Sequence, residues 1–132
     1  MKDDHFWDIA VRLHVQRSAL IASNLANAET PNYKARDFDF KVALEKAVSD
    51  GEALAMTTSS SDHIASGAPD SPELAEAPEY RIPQQPSLDG NTVEMEVERA
   101  AFVENAMRYE FAVRHAVDEY KEIGDLFKSL TI

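Results

Sequence analysis

Apolar residues recur at helical spacing at both ends of the chain and thin out between them. Phe6, Leu13 and Leu20 repeat every seven residues, with Ile9 at the intermediate position. The series turns polar at Gln16, Ser23 and Asn27, so this is a coiled-coil-like stripe that fades toward its end. The spacing predicts a helix over 5–28, about 36 Å long at about 1.5 Å per residue. Ser18, Ala19, Ala22, Ser23, Ala26 and Ala28 are small enough to let a second helix approach closely. Thr30-Pro31 ends the helix, because proline disfavours helical geometry before it and donates no backbone hydrogen bond. Asn24 and Asn27 lie three apart on the last turn. Two roles are open to them: satisfying loose carbonyls at the helix end, or fixing register against a partner helix as buried Asn does in coiled coils.

A second pattern begins after Pro86-Ser87-Leu88-Asp89-Gly90-Asn91, which is turn chemistry. Asn91 with Glu94 reads as a capping box, and Glu94, Glu96 and Glu98 suit the positive end of a helix dipole. Ala106, Val113, Tyr120 and Phe127 form one heptad series; Phe102, Tyr109, Ala116, Ile123 and Leu130 form the other. Met107, Phe111 and Val117 fall off this stripe and imply a second interface. The predicted helix over 92–130 is about 58 Å long and outruns its N-terminal partner, so part of its stripe needs another chain.

Between these ends the pattern loosens. Phe38 and Phe40 alternate with charge as in a short extended segment, Val42 to Val48 allow a helical turn or two, and Tyr80-Arg81-Ile82-Pro83 reads as extended chain. Thr57 to Asp62 and Ala65 to Pro78 carry little to bury and are expected to order only against neighbours. The expected fold class is mainly α, with long N- and C-terminal helices packing as a coiled-coil-like pair around a long irregular or short-strand middle. Its segments are an N-terminal assembly helix (1–31), an extended, loop-rich middle (32–91) and a C-terminal heptad assembly helix (92–132), together one structural unit.

Charge and composition narrow the function. Of 132 residues, 24 are acidic and 13 basic, a formal net charge of −11. Residues 1–49 are balanced, so the excess lies in the middle, where Arg81 is the single base of 50–88, and in the C-terminal helix. Such a surface repels phosphate backbones, and no nucleic-acid partner is expected. With no cysteine, disulfides and thiolate chemistry are excluded. The N-terminus has no continuous apolar run, so no cleavable secretory signal is expected, and no stretch approaches a membrane span. His5, His14, His63 and His115 are scattered; His115 and Glu119 are spaced for one helix face, but two ligands are too few for a metal site. Phosphate-cradling loops, nucleophile elbows and dinucleotide fingerprints are lacking, so no enzyme activity, cofactor or metal is expected. Trp7 reads as a packing residue at the helix start.

Ser23-Asn24-Leu25-Ala26-Asn27-Ala28-Glu29-Thr30-Pro31-Asn32-Tyr33-Lys34 resembles the N-terminal signature of the flagellar rod and hook family of axial proteins, roughly N-[IL]-A-N-x-x-T-P-G-Y-[KR]. Ala35-Arg36-Asp37-Phe38-Asp39-Phe40 is similar to the proximal-rod branch of that family. So is Pro86-Ser87-Leu88-Asp89-Gly90-Asn91-Thr92-Val93, followed by Met95 and Glu98. The resemblance leaves residues 45–80 unassigned. One departure is Asn32 where the family has Gly; Asn is the non-glycine residue that best tolerates left-handed geometry, so the turn is expected to be kept.

The resemblance implies a structural subunit, exported unfolded through the flagellar type III apparatus without a cleavable signal. It implies assembly in the periplasm into the basal-body rod, with the terminal helices forming a tubular inner layer that transmits torque and lines the export channel. The implied partners are copies of itself, other rod subunits, the membrane ring with its adaptor protein, and the export apparatus. The residues expected at the assembly interface are Leu13, Leu20, Asn24, Asn27, Pro31 and Tyr33 near the N-terminus. Phe102, Tyr109, Val113, Tyr120, Ile123, Phe127 and Leu130 are expected there along the heptads. The alternative is a soluble helical adaptor or export chaperone that binds a partner through those heptads. A small hydrolase using carboxylates has no support beyond acidic composition.

Overall fold

A computed structural model describes residues 6–51, 78–85 and 87–130. The expectations for 57–62 and for most of 65–78 lie outside the described residues. The first helix, α1, runs Phe6–Ala26. A two-residue strand, β1 (Arg36–Asp37), leads into a second helix, α2 (Phe40–Gly51). A second short strand, β2 (Glu79–Tyr80), precedes the long helix α3 (Met95–Leu130). The fold is the expected mainly helical one, with the two long terminal helices packed together and a minimal antiparallel sheet pairing Arg36 with Tyr80 and Asp37 with Glu79.

The helix starts have local causes. Asp39 caps α2: its Oδ1 accepts from the amides of Lys41 (2.9 Å) and Val42 (3.1 Å), while its carbonyl takes the Ala43 amide at 3.0 Å. This makes α2 longer than the turn or two expected from its apolar residues alone. At α3 the expected capping box is not formed. The helix begins at Met95, with the Glu94 carbonyl accepting the Glu98 amide, and Asn91 is turned away to another task described below.

The hydrophobic core sits between α1 and α2. Leu13, Phe38 and Ala43 are buried together, with Ile9, Leu20, Phe40 and Leu44 packed around them. The apolar stripe of α1 therefore packs on α2 and Phe38, while the two long helices pair through other residues. Leu13, expected at an assembly face, is at 0% exposure inside this core.

Against α3, α1 runs antiparallel: Asn24 meets Glu98, His14 meets Asn105, and Asp8 meets Tyr120. The residues of α3 buried within the chain are Glu98, Asn105, Ala112 and Ala116. Glu98, Asn105 and Ala112 repeat every seven, but four residues ahead of the Phe102–Tyr109–Ala116 series. The heptad periodicity is present, and the internal seam uses a smaller and more polar phase of it. At roughly 1.5 Å per residue, α1 spans about 31 Å and α3 about 54 Å, so the last turns of α3 run on past the start of α1.

Candidate assembly interface

The two sequence motifs are brought together by the fold. Asn32 takes the left-handed conformation (φ 62°), as its position demanded, and Gly90 takes the same region (φ 75°) directly opposite. The strands of chain around them are zipped. The Asn32 amide donates to the Asp89 carbonyl (3.0 Å), the Thr92 amide to the Tyr33 carbonyl (3.0 Å), and the Ala35 amide to Thr92 Oγ1 (2.7 Å). Lys34 Nζ reaches the Gly90 carbonyl at 2.8 Å. Ser87 and the Asn91 amide both donate to the Asp89 carboxylate, which holds its pKa below the usual 3.8.

Asn91 is the clasp. Its side-chain amide is directed at the carbonyls of Asn27 (2.9 Å), Ala28 (2.9 Å) and Thr30 (2.8 Å), the loose acceptors where α1 ends. Its Oδ1 accepts the Val93 amide at 2.8 Å. A residue read from sequence as a cap for its own helix thus satisfies the end of the other one. Spacing could not have shown this, because the partner carbonyls lie more than 60 residues away in the chain.

The two asparagines of the N-terminal signature divide the roles left open to them. Asn27 donates to the Ser23 carbonyl (2.8 Å) and accepts from Thr30 Oγ1 (3.1 Å), so it finishes the helix end. Asn24, fully buried, holds the returning chain: its amide donates to the Arg36 carbonyl (2.8 Å) and its Oδ1 accepts the Arg36 amide (3.0 Å). It supplies β1 with the donor and acceptor of a missing neighbouring strand. It also donates to Glu98 Oε1 at 3.3 Å. Tyr33 is half-buried, its hydroxyl between Ser23 Oγ (3.0 Å) and Asn24 Oδ1 (3.4 Å), whereas Pro31 is exposed.

An ion network closes the same end. Arg17 grips Asp37 through Nε (3.2 Å) and Nη2 (3.1 Å), Arg81 donates to Asp37 at 2.9 Å, and Arg81 Nη1 is bonded to the fully buried Glu98. Burial opposes ionisation of Asp37, but the bond and charge of Arg17, with the Phe38 amide and Arg81, outweigh it and hold the carboxyl below its usual 3.8. Arg81, Asp37 and Glu98 were not among the sequence-derived site residues. The isolation of Arg81 in an otherwise acidic segment was a signal for the first of them, and Asp37 and Glu98 lay within the motifs that carry the resemblance.

Midway along the seam, Asn105 donates to the His14 carbonyl (3.0 Å) and to Ser18 Oγ (2.7 Å), and its Oδ1 lies 2.8 Å from His14 Nδ1. With both amide hydrogens of Asn105 committed, Nδ1 is the donor of that third bond. The His14 ring stacks on Phe40 at 4.2 Å. Burial, the largest influence, lowers the His14 pKa below 6.5, helped by Arg108 and Arg17 and opposed by the Asn105 bond. At the far end, Trp7 stacks on His115 (4.4 Å) and meets Phe111 edge-on (5.8 Å), so His115 serves as a packing partner. Among the described residues no group of three His, Asp or Glu could hold a metal ion, and no helix is long and apolar enough to cross a membrane.

What remains open is the expected heptad stripe. Phe102, Tyr109, Tyr120, Ile123, Phe127 and Leu130 are all exposed, Leu130 at 76%, and Val113 lies half-buried at the seam's edge. Met107, Phe111 and Val117, off the stripe, are exposed as well. Leu20 packs at the margin of the core and Asn24 within the seam, so the structure separates residues grouped together by sequence. The N-terminal ones organise the subunit, and the α3 stripe faces outward.

No family model matches the chain. It is similar to the flagellar basal body rod protein FlgB of Escherichia coli strain K12, with 40% identity over 128 residues, covering 94% of this chain and 91% of the relative. The protein of that name from Salmonella typhimurium strain LT2 is 43% identical over 112 residues, 82% of this chain and 80% of the relative. That from Cereibacter sphaeroides strain ATCC 17029 is 46% identical over 101 residues, 76% and 74% of the two chains. The adaptor or chaperone alternative finds no support among these relatives.

Proposed function

Because the chain belongs to the flagellar basal body rod protein FlgB family, we propose that it builds the rod by laying the exposed stripe of α3 against neighbouring subunits. It is a structural subunit of the basal-body rod, and its work is mechanical rather than catalytic. The observation that carries the assembly reading is the row of large apolar side chains left open along a helix that outruns its partner. A monomer in water has no use for Phe102, Tyr109, Ile123 and Leu130 exposed along α3; a packed tube of helices does. Torque then passes through many such contacts, and the inner surface of the tube lines the export channel. The partners in this reading are further copies, other rod subunits, the membrane ring with its adaptor, and the type III export apparatus, through which the chain passes unfolded.

The test is mass spectrometry of detergent-extracted basal bodies from cells with and without an intact copy of the gene. Presence of the chain in the particles, and loss of the rod with retention of the membrane ring when the gene is removed, is the expected result. A chain absent from the particles and soluble in the cytoplasm defeats the reading. Ile123→Pro, which breaks α3 where it carries the stripe, is expected to abolish rods and swimming; normal motility in that strain would rule out the stripe as the assembly surface.

A further inference from the structure

The face of α3 that packs inside the chain is its less apolar one. Within the seam it offers a carboxylate, an amide and two methyl groups, while a row of aromatic and aliphatic side chains stands open beside it. Burial of apolar area alone favours the opposite choice. A roll of α3 by roughly a sixth of a turn, at 3.6 residues per turn, would swing Phe102, Tyr109 and Val113 over α1. We propose that Glu98 and Asn105 on α3, with His14 and Asn24 on α1, form a selection seam that admits only the chain's own α1 in one register and so reserves the apolar stripe for contacts between copies. The reservation of the stripe rests on the rod reading; the selection of register does not.

The polar groups carry this because each is complete in one arrangement only. Asn105 makes three bonds to two residues of α1, and every one of its polar hydrogens is committed. Sliding α3 by one heptad sets Ala112 or Glu98 against His14 and Ser18. Ala112 offers no acceptor for the buried Nδ1–H, and Glu98 in that place would leave Arg81 and Asn24 behind. A roll strips the same bonds and leaves the buried His14 and Asn24 of α1 facing apolar side chains. Apolar contacts, by contrast, are non-directional and tolerate many registers. Buried polar pairs give up stability for a single pairing, and here they sit on the one face where α3 must choose between its own chain and its neighbours.

The test measures register in the full chain. Nitroxide labels at Ala22→Cys and Glu104→Cys, both exposed sites in a chain with no native cysteine, report the separation of α1 and α3 by pulsed dipolar spectroscopy. The parent chain is expected to give one narrow distance. His14→Leu with Asn105→Leu, and separately Glu98→Leu with Arg81→Leu, are expected to add a second component displaced by up to about 10 Å, one heptad of helix rise. Broadening in either variant supports the seam. Broadening in neither overturns it, whether because the native distance persists or because the helices are lost, since the groups would then serve stability alone. A parent chain with one distance that never enters rods would defeat the rod reading and leave the seam intact.

Discussion

Arg81→Ala removes the charge that accompanies Glu98 into the interior. The Glu98 side chain is wholly buried and that of Arg81 is 19% exposed, so little solvent screens the pair. Glu98 Oε2 has no hydrogen-bond partner, and the Asn24 amide at 3.3 Å would be the one contact left to Oε1. Asp37 keeps its two-pronged bond to Arg17, so the damage concentrates on Glu98. Stranding a buried charge by removing its partner costs about 3–5 kcal/mol. At roughly 3–4 °C per kcal/mol for a chain of this size, the thermal midpoint falls by about 9–20 °C. The assay is urea unfolding of the full chain, followed by helical circular dichroism. The diagnostic comparison is Arg81→Leu with Glu98→Leu, which removes both charges and is expected to recover all but about 1 kcal/mol of the parent stability. A loss below about 1 kcal/mol in Arg81→Ala, or no recovery in the double variant, would refute the reasoning, because it would mean that Glu98 is not held as a buried, partner-dependent charge.

Three further outcomes follow from the geometry. Gly90→Ala forces a side chain into the left-handed region and sets its Cβ 2.6 Å from Asn32 Oδ1, so a loss of about 1–3 kcal/mol in urea unfolding is expected; an unchanged midpoint would show that the turn relaxes freely. Because the folded state holds His14 below 6.5, its neutral form favours folding: that contribution is present above pH 6.5 and is lost as the pH falls through 6.5 toward the folded value, and His14→Gln should flatten this part of the stability profile. Tyr120 donates to Asp8 at 2.9 Å and its pKa is raised above 10.0 by that bond and charge, so Asp8→Asn should bring the phenol's ultraviolet titration back down toward 10.0, and an unmoved titration would deny the contact between the helix ends.

The sequence by itself determined the two long terminal helices and the left-handed turn at Asn32, because these follow from short-range rules, although α1 already ends at Ala26, before Thr30-Pro31. Apolar spacing selects a helix, and asparagine tolerates a positive φ at little cost. The two motifs that marked the family also proved to touch, through residues 27–35 on one side and 89–92 on the other.

What the tertiary structure alone decided is which face meets which. Hydrophobic periodicity marked the bulky heptad series as an assembly face but did not reveal the seam inside the chain: α3 packs on α1 through Glu98, Asn105, Ala112 and Ala116 and leaves Phe102, Tyr109, Tyr120, Ile123 and Leu130 exposed. The reason is that close helix approach favours small side chains, and that a buried amide or carboxylate takes its value from partners far away in sequence. His14, Ser18, Asn24 and Arg81 become such partners only once the chain has folded back on itself. The role of Asn91 shows the same limit: spacing within one helix suggested a cap, and three carbonyls at the end of another helix claimed it.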